Sequence, residues 1–443
     1  MKSNRLKQIM IKKLFLLNLL LFSCLLTLDA QTAAVSKNAV KPDVAELRRQ
    51  SFDKVWRTIN EKHFDPTFGG VDWQKARETY EPKANAAKSD AEFYAVLRQM
   101  LGELKLSHFG IFPPDAELKN AQVSNGVIGI ELKMLDGQAV ISQIQNGSTA
   151  GQAGLKTGFV IEKVDGKTVT ELLAPLEVSL SKRGLPEAQK KLYRERVLLS
   201  LIDGKVATKA NIAVLDGKNQ ARIFDVPRVE HKGEMSLAVG NFPAQEVVFE
   251  AKKLENNVGY IRFNIWVIPQ MAKIREAIRV MKDTSGIIID LRGNPGGFGG
   301  MAPGIAGFLV KEQTSLGSMK SRVNETKFIV YPQTDVYQGK VVVLTDYGSA
   351  STSEIFAAGL QEIGRAKVVG ETSAGAVLPS IFDTLPTGAI FQYVISDYKS
   401  PKNVLLENRG VIPDTEIKLT RASLLDGRDL QLEEAIKQIT KEK

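Results

Sequence analysis

Apolar residues recur at helical spacing in the first part of this 443-residue chain. The clearest run covers Phe93–Leu104, and Ser89 with Glu92 forms the pattern of a capping box just before it. The residues that follow, Lys105–Ile111, alternate between polar and apolar and are predicted to be extended. Residues 43–118 are therefore predicted to form a helical N-terminal region.

Short alternating segments, typical of strands, take over in residues 119–230. The first of them covers Gly126–Leu132, and closing strands are expected over Val206–Val229. A helical pattern interrupts these segments at residues 174–200. The spacing therefore predicts a small, strand-rich domain with a helical insertion.

Apolar runs typical of buried strands alternate with helical patterns in residues 240–425. This alternation favours βαβ crossovers and an α/β domain with a mostly parallel sheet. Residues 426–443 end the chain, and Gln431–Lys443 is predicted to be an exposed helix. The predicted strands are Val258–Phe263, Ile287–Leu291, Val341–Leu344 and Lys367–Gly370, and the predicted crossover helices are Met271–Met281 and Thr352–Ile363.

Residues 1–30 have the pattern of a secretion signal, in which basic residues precede an apolar run of about 15 residues. Cleavage is predicted after Ala30, which makes the protein exported, either periplasmic or secreted. One alternative is a lipoprotein, anchored near the membrane through Cys24, the only cysteine of the chain. Another is an uncleaved anchor. Cleavage or lipidation leaves no second cysteine, so no disulfide is predicted.

The formal charge of +9 includes a basic excess in the first 30 residues, and about +5 is left when they are removed. This excess is spread along the chain and forms no Lys/Arg block, so nucleic acid is not a predicted partner. The three histidines show no spacing typical of a metal site, so neither a metal nor another cofactor is predicted.

Ser351 stands where a predicted buried strand, a Gly-Ser turn and a helix meet. A serine at such a joint has its hydroxyl exposed at the edge of the sheet. The N–H of Thr352, at the start of the helix, can receive a developing oxyanion. The commoner role of a serine in this position is that of a helix N-cap, and this segment alone leaves both open.

A glycine-rich loop, Asp290–Gly300, follows another predicted buried strand. It lacks the Gly-Lys-Ser/Thr ending of a P-loop and the Gly-x-Gly-x-x-Gly fingerprint of dinucleotide sites. Such a loop can instead bring backbone N–H groups close to a carbonyl oxygen. Asp290 and Arg292 are interpreted as a structural pair that holds the loop.

The segments Gly126–Leu132, Gly147–Gly158 and Val160–Lys167 resemble a PDZ domain. The resemblance implies that a peptide C-terminus is held by backbone N–H groups and lies along a strand. The residues that would bind it are Gly126, Ile128, Gly129 and Ile130. The alternative is a PDZ domain that serves only as a structural lid.

Four motifs together resemble the C-terminal processing peptidase family, or tail-specific proteases, over residues 45–420. These motifs are Asp290–Gly297, Gly348–Glu354, Gly370–Thr372 and Glu407–Asp414. The resemblance implies a ClpP/crotonase-like catalytic domain, in which Ser351 is the nucleophile.

Many members of that family carry a catalytic lysine 25 residues after the serine, in a Phe-Gly-Lys-Gly turn, with a glutamine four residues further on. This chain has Ala374–Val377 in that turn and Ser380 in place of the glutamine. A branch typified by tricorn protease instead uses a histidine with a neighbouring serine and a glutamate. Ser107, His108 and Glu407 occupy the corresponding positions.

The resemblance therefore implies a mechanism in which His108 removes the proton of Ser351, and Glu407 orients the imidazole through the Ser107 hydroxyl. The oxyanion would lie between the N–H of Thr352 and one N–H from Gly296 or Gly297. A histidine base further predicts an activity that rises through a pKa near neutrality.

The predicted function is that of an exported serine endopeptidase that cleaves peptides or unfolded protein chains. One alternative is a catalytically inactive protein that binds lipid or peptide on the same scaffold. Another is a Ser-Lys peptidase with a displaced lysine, such as Lys367 or Lys399. The sequence leaves open the substrate, the oligomeric state and whether the PDZ domain activates or occludes the site.

Overall fold

The computed structural model describes residues 43–114, 126–181, 183–230 and 233–441. The predicted signal, Cys24 and the segment 115–125 lie outside the described residues. The chain divides into two compact units, residues 1–47 and 48–443. Of the first unit the structure describes only residues 43–47, which include the start of a helix. In the described part of the chain, no helix is long and apolar enough to cross a membrane.

Three helices begin the described chain, namely α1 (Val44–Lys62), α2 (Trp73–Asn85) and α3 (Asp90–Gly102). The Ser89 hydroxyl caps α3 by accepting a hydrogen bond from the N–H of Glu92, at 3.2 Å. Strand β1 (Gly110–Phe112) follows and pairs antiparallel with the later strand Ile390–Val394. This pairing holds Ser107 and His108, just before β1, close to the C-terminal half of the chain.

Residues 126–235 contain a strand-rich unit with helices at its edge. Strand β3 is an edge strand of the main sheet, whose order is β3-β4-β5-β7-β8, and helix α6 packs beside it. The elements are β2 (Gly126–Val127), β3 (Ile130–Leu135), β4 (Gln138–Ile144), α4 (Thr149–Ala153), β5 (Val160–Val164), β6 (Lys167–Thr168), α5 (Val169–Ser181), α6 (Glu187–Ile202), β7 (Lys209–Leu215), β8 (Ala221–Pro227), β9 (Val229–Glu230) and β10 (Glu234–Met235).

The remaining chain forms a mixed α/β part, in which strands and helices alternate. Its elements are β11 (Glu246–Val247), β12 (Phe249–Leu254), β13 (Val258–Phe263), α7 (Ile268–Val280), β14 (Gly286–Asp290), α8 (Met301–Ala306), β15 (Thr314–Lys320), β16 (Glu325–Val330), β17 (Lys340–Thr345), α9 (Thr352–Glu362), β18 (Lys367–Gly370), β19 (Ser380–Thr384), β20 (Ile390–Val394), β21 (Asp397–Lys399), β22 (Thr415–Glu416), α10 (Arg421–Leu425) and α11 (Leu430–Thr440).

The main sheet of this part has the order β12-β13-β14-β17-β18-β22. All pairs except β12–β13 are parallel, which confirms the predicted crossovers. Successive residues of β14 point to opposite faces: Ile287 and Ile289 pack with helices α7–α9, whereas Ile288 packs beneath α11. Both faces are covered, as a parallel sheet requires.

The prediction of an exposed C-terminal helix is wrong. Helix α11 buries Gln431, Ala435 and Ile439 against the second face of the main sheet. Its last carbonyls accept hydrogen bonds from the Lys340 ammonium, at 2.7 Å from Ile439. The sequence shows that one side of this helix is apolar. It does not show that this side packs on the second face of the main sheet, because that contact joins segments distant in the chain.

Candidate active site

The turn around Ser351 joins β17 to α9 at the carboxyl end of the main sheet. Ser351 has φ 55° and ψ −118°, a backbone conformation that is uncommon and strained for a residue with a Cβ. Its N–H lies 2.8 Å from the Ala376 carbonyl and 3.0 Å from the Glu354 carboxylate. Ser351 is also the N-cap residue of α9: its backbone carbonyl accepts from the Glu354 N–H at 2.8 Å, and Glu354 accepts from its N–H as in a capping box, so these two capping contacts use the backbone of the serine.

The glycine-rich loop is tied directly to this turn. The Asn294 carbonyl accepts a hydrogen bond from the N–H of Ala350, at 3.0 Å, and the Ser349 hydroxyl donates to the Leu291 carbonyl, at 2.7 Å. Asp346 accepts from the N–H groups of Gly293 and Gly348, both at 2.8 Å. The two segments therefore form one rigid backbone surface.

Gly296 lies so close to Ser351 that no side chain fits there. A Cβ on Gly296 would come within 2.6 Å of the Ser351 Cβ and 2.9 Å of the Thr352 nitrogen. The Gly296 N–H donates to the Asn294 side chain at 3.0 Å, so it is not free. The N–H groups of Gly297 and Thr352 donate to no other described residue, and the Gly297 carbonyl accepts from the Thr352 hydroxyl at 2.9 Å. Of the two glycines that the sequence left open, Gly297 has the available donor.

Ser107 connects Glu407 to His108, although Glu407 is 300 residues further along the chain. The Glu407 carboxylate accepts from the Ser107 N–H at 2.7 Å and from its hydroxyl at 3.0 Å. The same hydroxyl oxygen lies 2.7 Å from His108 Nδ1. His108 has φ 58°, a left-handed conformation that is uncommon outside glycine.

Two adjacent residues link this chain of hydrogen bonds to the serine turn. The Ala376 carbonyl accepts from the Ser351 N–H, whereas the Val377 N–H donates to Glu407 at 3.1 Å. No hydrogen bond joins Ser351 to His108 among the described residues. Ser351 and the Glu407–Ser107–His108 series are thus both tied to the segment Ala376–Val377, from separate parts of the chain.

Burial changes the pKa of the titratable groups at this site. It raises the pKa of Glu407, although three hydrogen bonds stabilise its ionised form. Burial is also the main cause that lowers the pKa of His108 to about 4, and the positive charge of Arg196 adds to this effect. The expected pKa near neutrality is therefore not what the structure indicates for His108.

The position of the family lysine has a different role in this chain. Ala376 uses its carbonyl to hold Ser351 and donates its N–H to Glu354 at 2.9 Å. Lys367 is paired with Asp414 at the start of β18, at the opposite end of the strands from Ser351. Lys399 lies in β21, which pairs with β15. Neither lysine contacts Ser351 among the described residues.

The four residues predicted to bind a peptide C-terminus differ in whether their N–H groups are available. Ile128 and Gly129 line a cavity of about 320 Å³, together with Val127, Ser148, Thr149 and Val229. Their N–H groups donate to no described residue. The Gly126 N–H, however, donates to the Gly204 carbonyl at 3.1 Å. The Ile128 and Ile130 side chains are buried in the core of the unit, so they do not form an apolar pocket.

The structure also identifies site residues that the sequence did not single out. Buried Glu354 accepts from Ser373 at 2.5 Å and from the N–H groups of Ser351, Gly375 and Ala376. Burial nevertheless raises its pKa to about 7. Its place in the first turn of a helix indicated only a capping role. Asp290 and Arg292 form the predicted structural pair, at 2.6 Å, and Arg292 also binds Asp429.

Comparisons with known proteins bear on the family of this chain. Residues 257–417 match the profile of Peptidase family S41, and residues 45–102 match that of the Tricorn protease C1 domain. A carboxyl-terminal-processing protease of Synechocystis is 25% identical over 397 residues, which cover 87% of this chain and 85% of the relative. A putative tricorn protease homolog 2 of Streptomyces coelicolor is 24% identical over 414 residues, which cover 89% of this chain and 32% of the relative.

The fold is similar to that of a solved photosystem II D1 C-terminal processing protease. The TM-score is 0.55 at 21% identity, and the match covers 84% of this chain and 93% of that chain. Nothing in these comparisons supports a catalytically inactive binding protein. The chain is therefore a serine-type peptidase that carries a Peptidase family S41 domain and is related to the carboxyl-terminal processing proteases.

Proposed function

We propose that this protein is an exported endopeptidase in which Ser351 is the nucleophile and His108 is the general base. The observation that carries the proposal is the hydrogen-bonded series Glu407–Ser107–His108, attached to the same loop as Ser351. The N–H groups of Ser107 and Val377 already hold the Glu407 carboxylate in place. Its further contact, through the Ser107 hydroxyl to the imidazole, is the arrangement that proton transfer by His108 needs.

The hydrogen bonds assign the tautomer of His108. The Ser107 hydroxyl donates to the Glu407 carboxylate, so its oxygen has to accept from the proton on His108 Nδ1. Nε2 then carries the lone pair. It is the atom that can take a proton from Ser351, once substrate binding brings the two side chains within hydrogen-bond reach.

The reaction follows from these positions. The Ser351 oxygen attacks the peptide carbonyl while His108 Nε2 takes its proton, and the developing oxyanion accepts from the N–H groups of Thr352 and Gly297. The C–N bond then breaks, and His108 gives its proton to the leaving amine. Water attacks the acyl-serine in the second half of the reaction, with His108 again as the base, and Ser351 regains its proton.

Recognition of a substrate C-terminus is proposed for the strand-rich unit. The free N–H groups of Ile128 and Gly129 face a cavity that could receive a carboxylate. A bound peptide could continue along the edge of β3 only in part, because the Met134 N–H already donates to Tyr347 at 2.7 Å and to Glu195 at 3.2 Å. The names of the carboxyl-terminal processing relatives suggest the same kind of substrate.

Labelling with a serine-reactive fluorophosphonate tests the proposed function. The full chain should be labelled and should degrade an unfolded protein, and Ser351→Ala should abolish both. Ser181→Ala, at an exposed serine that ends α5, is the matched control and should behave like the wild type. Labelling that persists in Ser351→Ala would refute the nucleophile. Retention of full activity in His108→Ala would refute the base.

A further inference from the structure

Arg196 is a positive charge that acts on His108, and among the described residues its guanidinium forms no direct ion pair. It lies on α6, it is exposed, and no described side chain forms an ion pair or hydrogen bond with it. Its neighbour Arg194, in contrast, pairs with Glu177 at 2.7 Å and with Glu187 at 2.5 Å. Of the two arginines in this helix, Arg194 has direct carboxylate partners, whereas Arg196 is attracted by Glu195 without a direct contact.

Helix α6 is docked directly on the loops that carry the site. The buried Gln189 side chain donates to the Gly375 carbonyl at 2.7 Å and lies 3.3 Å from the Asn408 side-chain oxygen. Gly375 precedes the residue that holds Ser351, and Asn408 follows Glu407. The N-terminal turn of α6 is thereby fixed next to the catalytic residues.

Arg196 lies on the same face of the helix as Gln189. Residues seven positions apart are separated by nearly two complete turns, about 10 Å along the axis. The side of α6 that contacts the Gly375 and Asn408 loops through Gln189 therefore also carries Arg196, whose positive charge lowers the pKa of His108. Glu195, the nearest acid in the helix, points elsewhere: its carboxylate pairs with Lys133 at 3.7 Å and binds the Tyr347 hydroxyl.

We propose that Arg196 forms a subsite for a carboxylate of the substrate, close to the bond that is cut. The carboxylate is either an acidic side chain near the scissile bond or the terminal carboxylate of the peptide. A guanidinium binds a carboxylate through two parallel N–H groups, which favours it over an ammonium for this kind of contact. The inference rests on the proposed function and adds a substrate class to it.

Matched peptides that differ in one residue beside the cleavage site, Glu, Gln or Lys, test the acidic side chain. For the wild type, kcat/KM should be roughly three- to tenfold higher with Glu than with Gln. Arg196→Gln should abolish this preference, and Arg196→Glu should shift it towards Lys. Lys190→Gln removes one charge from another side of α6 and should leave the preference unchanged. Circular dichroism and thermal unfolding should show that each variant is folded.

Free and amidated versions of each peptide, with the scissile bond near the end or far from it, test the terminal carboxylate. Peptides whose scissile bond lies near a free C-terminus should be cut better than their amidated forms. If Arg196→Gln removes this preference, and does so only for peptides cut near their end, Arg196 binds the terminal carboxylate. The inference would be overturned if the Glu, Gln and Lys peptides were cut equally and Arg196→Gln did not change the preference for a free end. Fluorophosphonate labelling of Ser351 would then still support the peptidase. An absence of both labelling and cleavage in the wild type would instead refute the proposed function.

Discussion

Glu407 holds Ser107 by two hydrogen bonds, one from the backbone N–H at 2.7 Å and one from the hydroxyl at 3.0 Å. The backbone contact fixes the position of the residue, and the hydroxyl contact fixes the direction of its proton. Because His108 is the next residue, both contacts also fix the imidazole. A single carboxylate thus sets the place and the tautomer of the proposed base.

Substitution of Ser107 separates these two effects. Ser107→Ala keeps the backbone N–H but removes the hydroxyl, so the fold should persist while His108 loses the acceptor of its Nδ1 proton. We expect kcat to fall by about 10- to 100-fold, less than in His108→Ala, since general-base catalysis contributes about 100- to 10,000-fold. Steady-state kinetics on one peptide, with thermal unfolding as the check on folding, measure this. A wild-type kcat in Ser107→Ala would exclude the relay.

The pH profile reports on His108. The base acts in its neutral form, so kcat/KM should rise as pH increases through the pKa of free His108. Burial and Arg196 lower this pKa to about 4, so the rise should lie in the acidic range and the enzyme should be fully active at neutral pH. Arg196→Gln removes the nearby positive charge, which should raise the pKa and move the rise to higher pH.

Measurement of kcat/KM between pH 3.5 and 9, over the range in which the protein stays folded, checks both expectations. Lys190→Gln is again the control and should keep the wild-type profile. Glu354, whose pKa burial raises to about 7, holds the Ser351 N–H and is a second group that can titrate at this site. A rise centred near neutrality that persists in Glu354→Gln would contradict the lowered pKa of His108.

A glycine substitution tests the proposed oxyanion site. In Gly296→Ala the new Cβ would meet the Ser351 Cβ at 2.6 Å and the Ala350 carbonyl at 2.8 Å, so the serine turn and the glycine loop would have to separate. We expect a loss of about 100-fold or more in kcat, because the separation would carry the Gly297 N–H away from Ser351 and Thr352, and loss of one oxyanion donor has an effect of that size. Gly299→Ala, three residues further on, would place its Cβ 3.6 Å from Phe328 and should retain activity.

The sequence predicted the strands and helices more reliably than it predicted which groups form hydrogen bonds with each other. The run that became β17 was identified because both faces of a central parallel strand are buried, which leaves Val341–Leu344 continuously apolar. Which of Gly296 and Gly297 has a free N–H could not be predicted, since it depends on whether the Asn294 side chain turns back to the loop. The roles of Glu354 and Arg196 depend on loops and a helix that are distant in sequence, and no local pattern marks either.

The last prediction concerns the cavity at Gly129 in the strand-rich unit. If its free N–H groups hold a terminal carboxylate, a long peptide with a free C-terminus should be cut better than its amidated twin, mainly through a lower KM, because tethering raises local concentration rather than reactivity. Asn146→Trp places a large side chain at the cavity lining and should equalise the two peptides. Gln138→Trp, at the exposed start of β4, should preserve the difference. Equal KM values for both peptides in the wild type would show that this unit does not read the chain end.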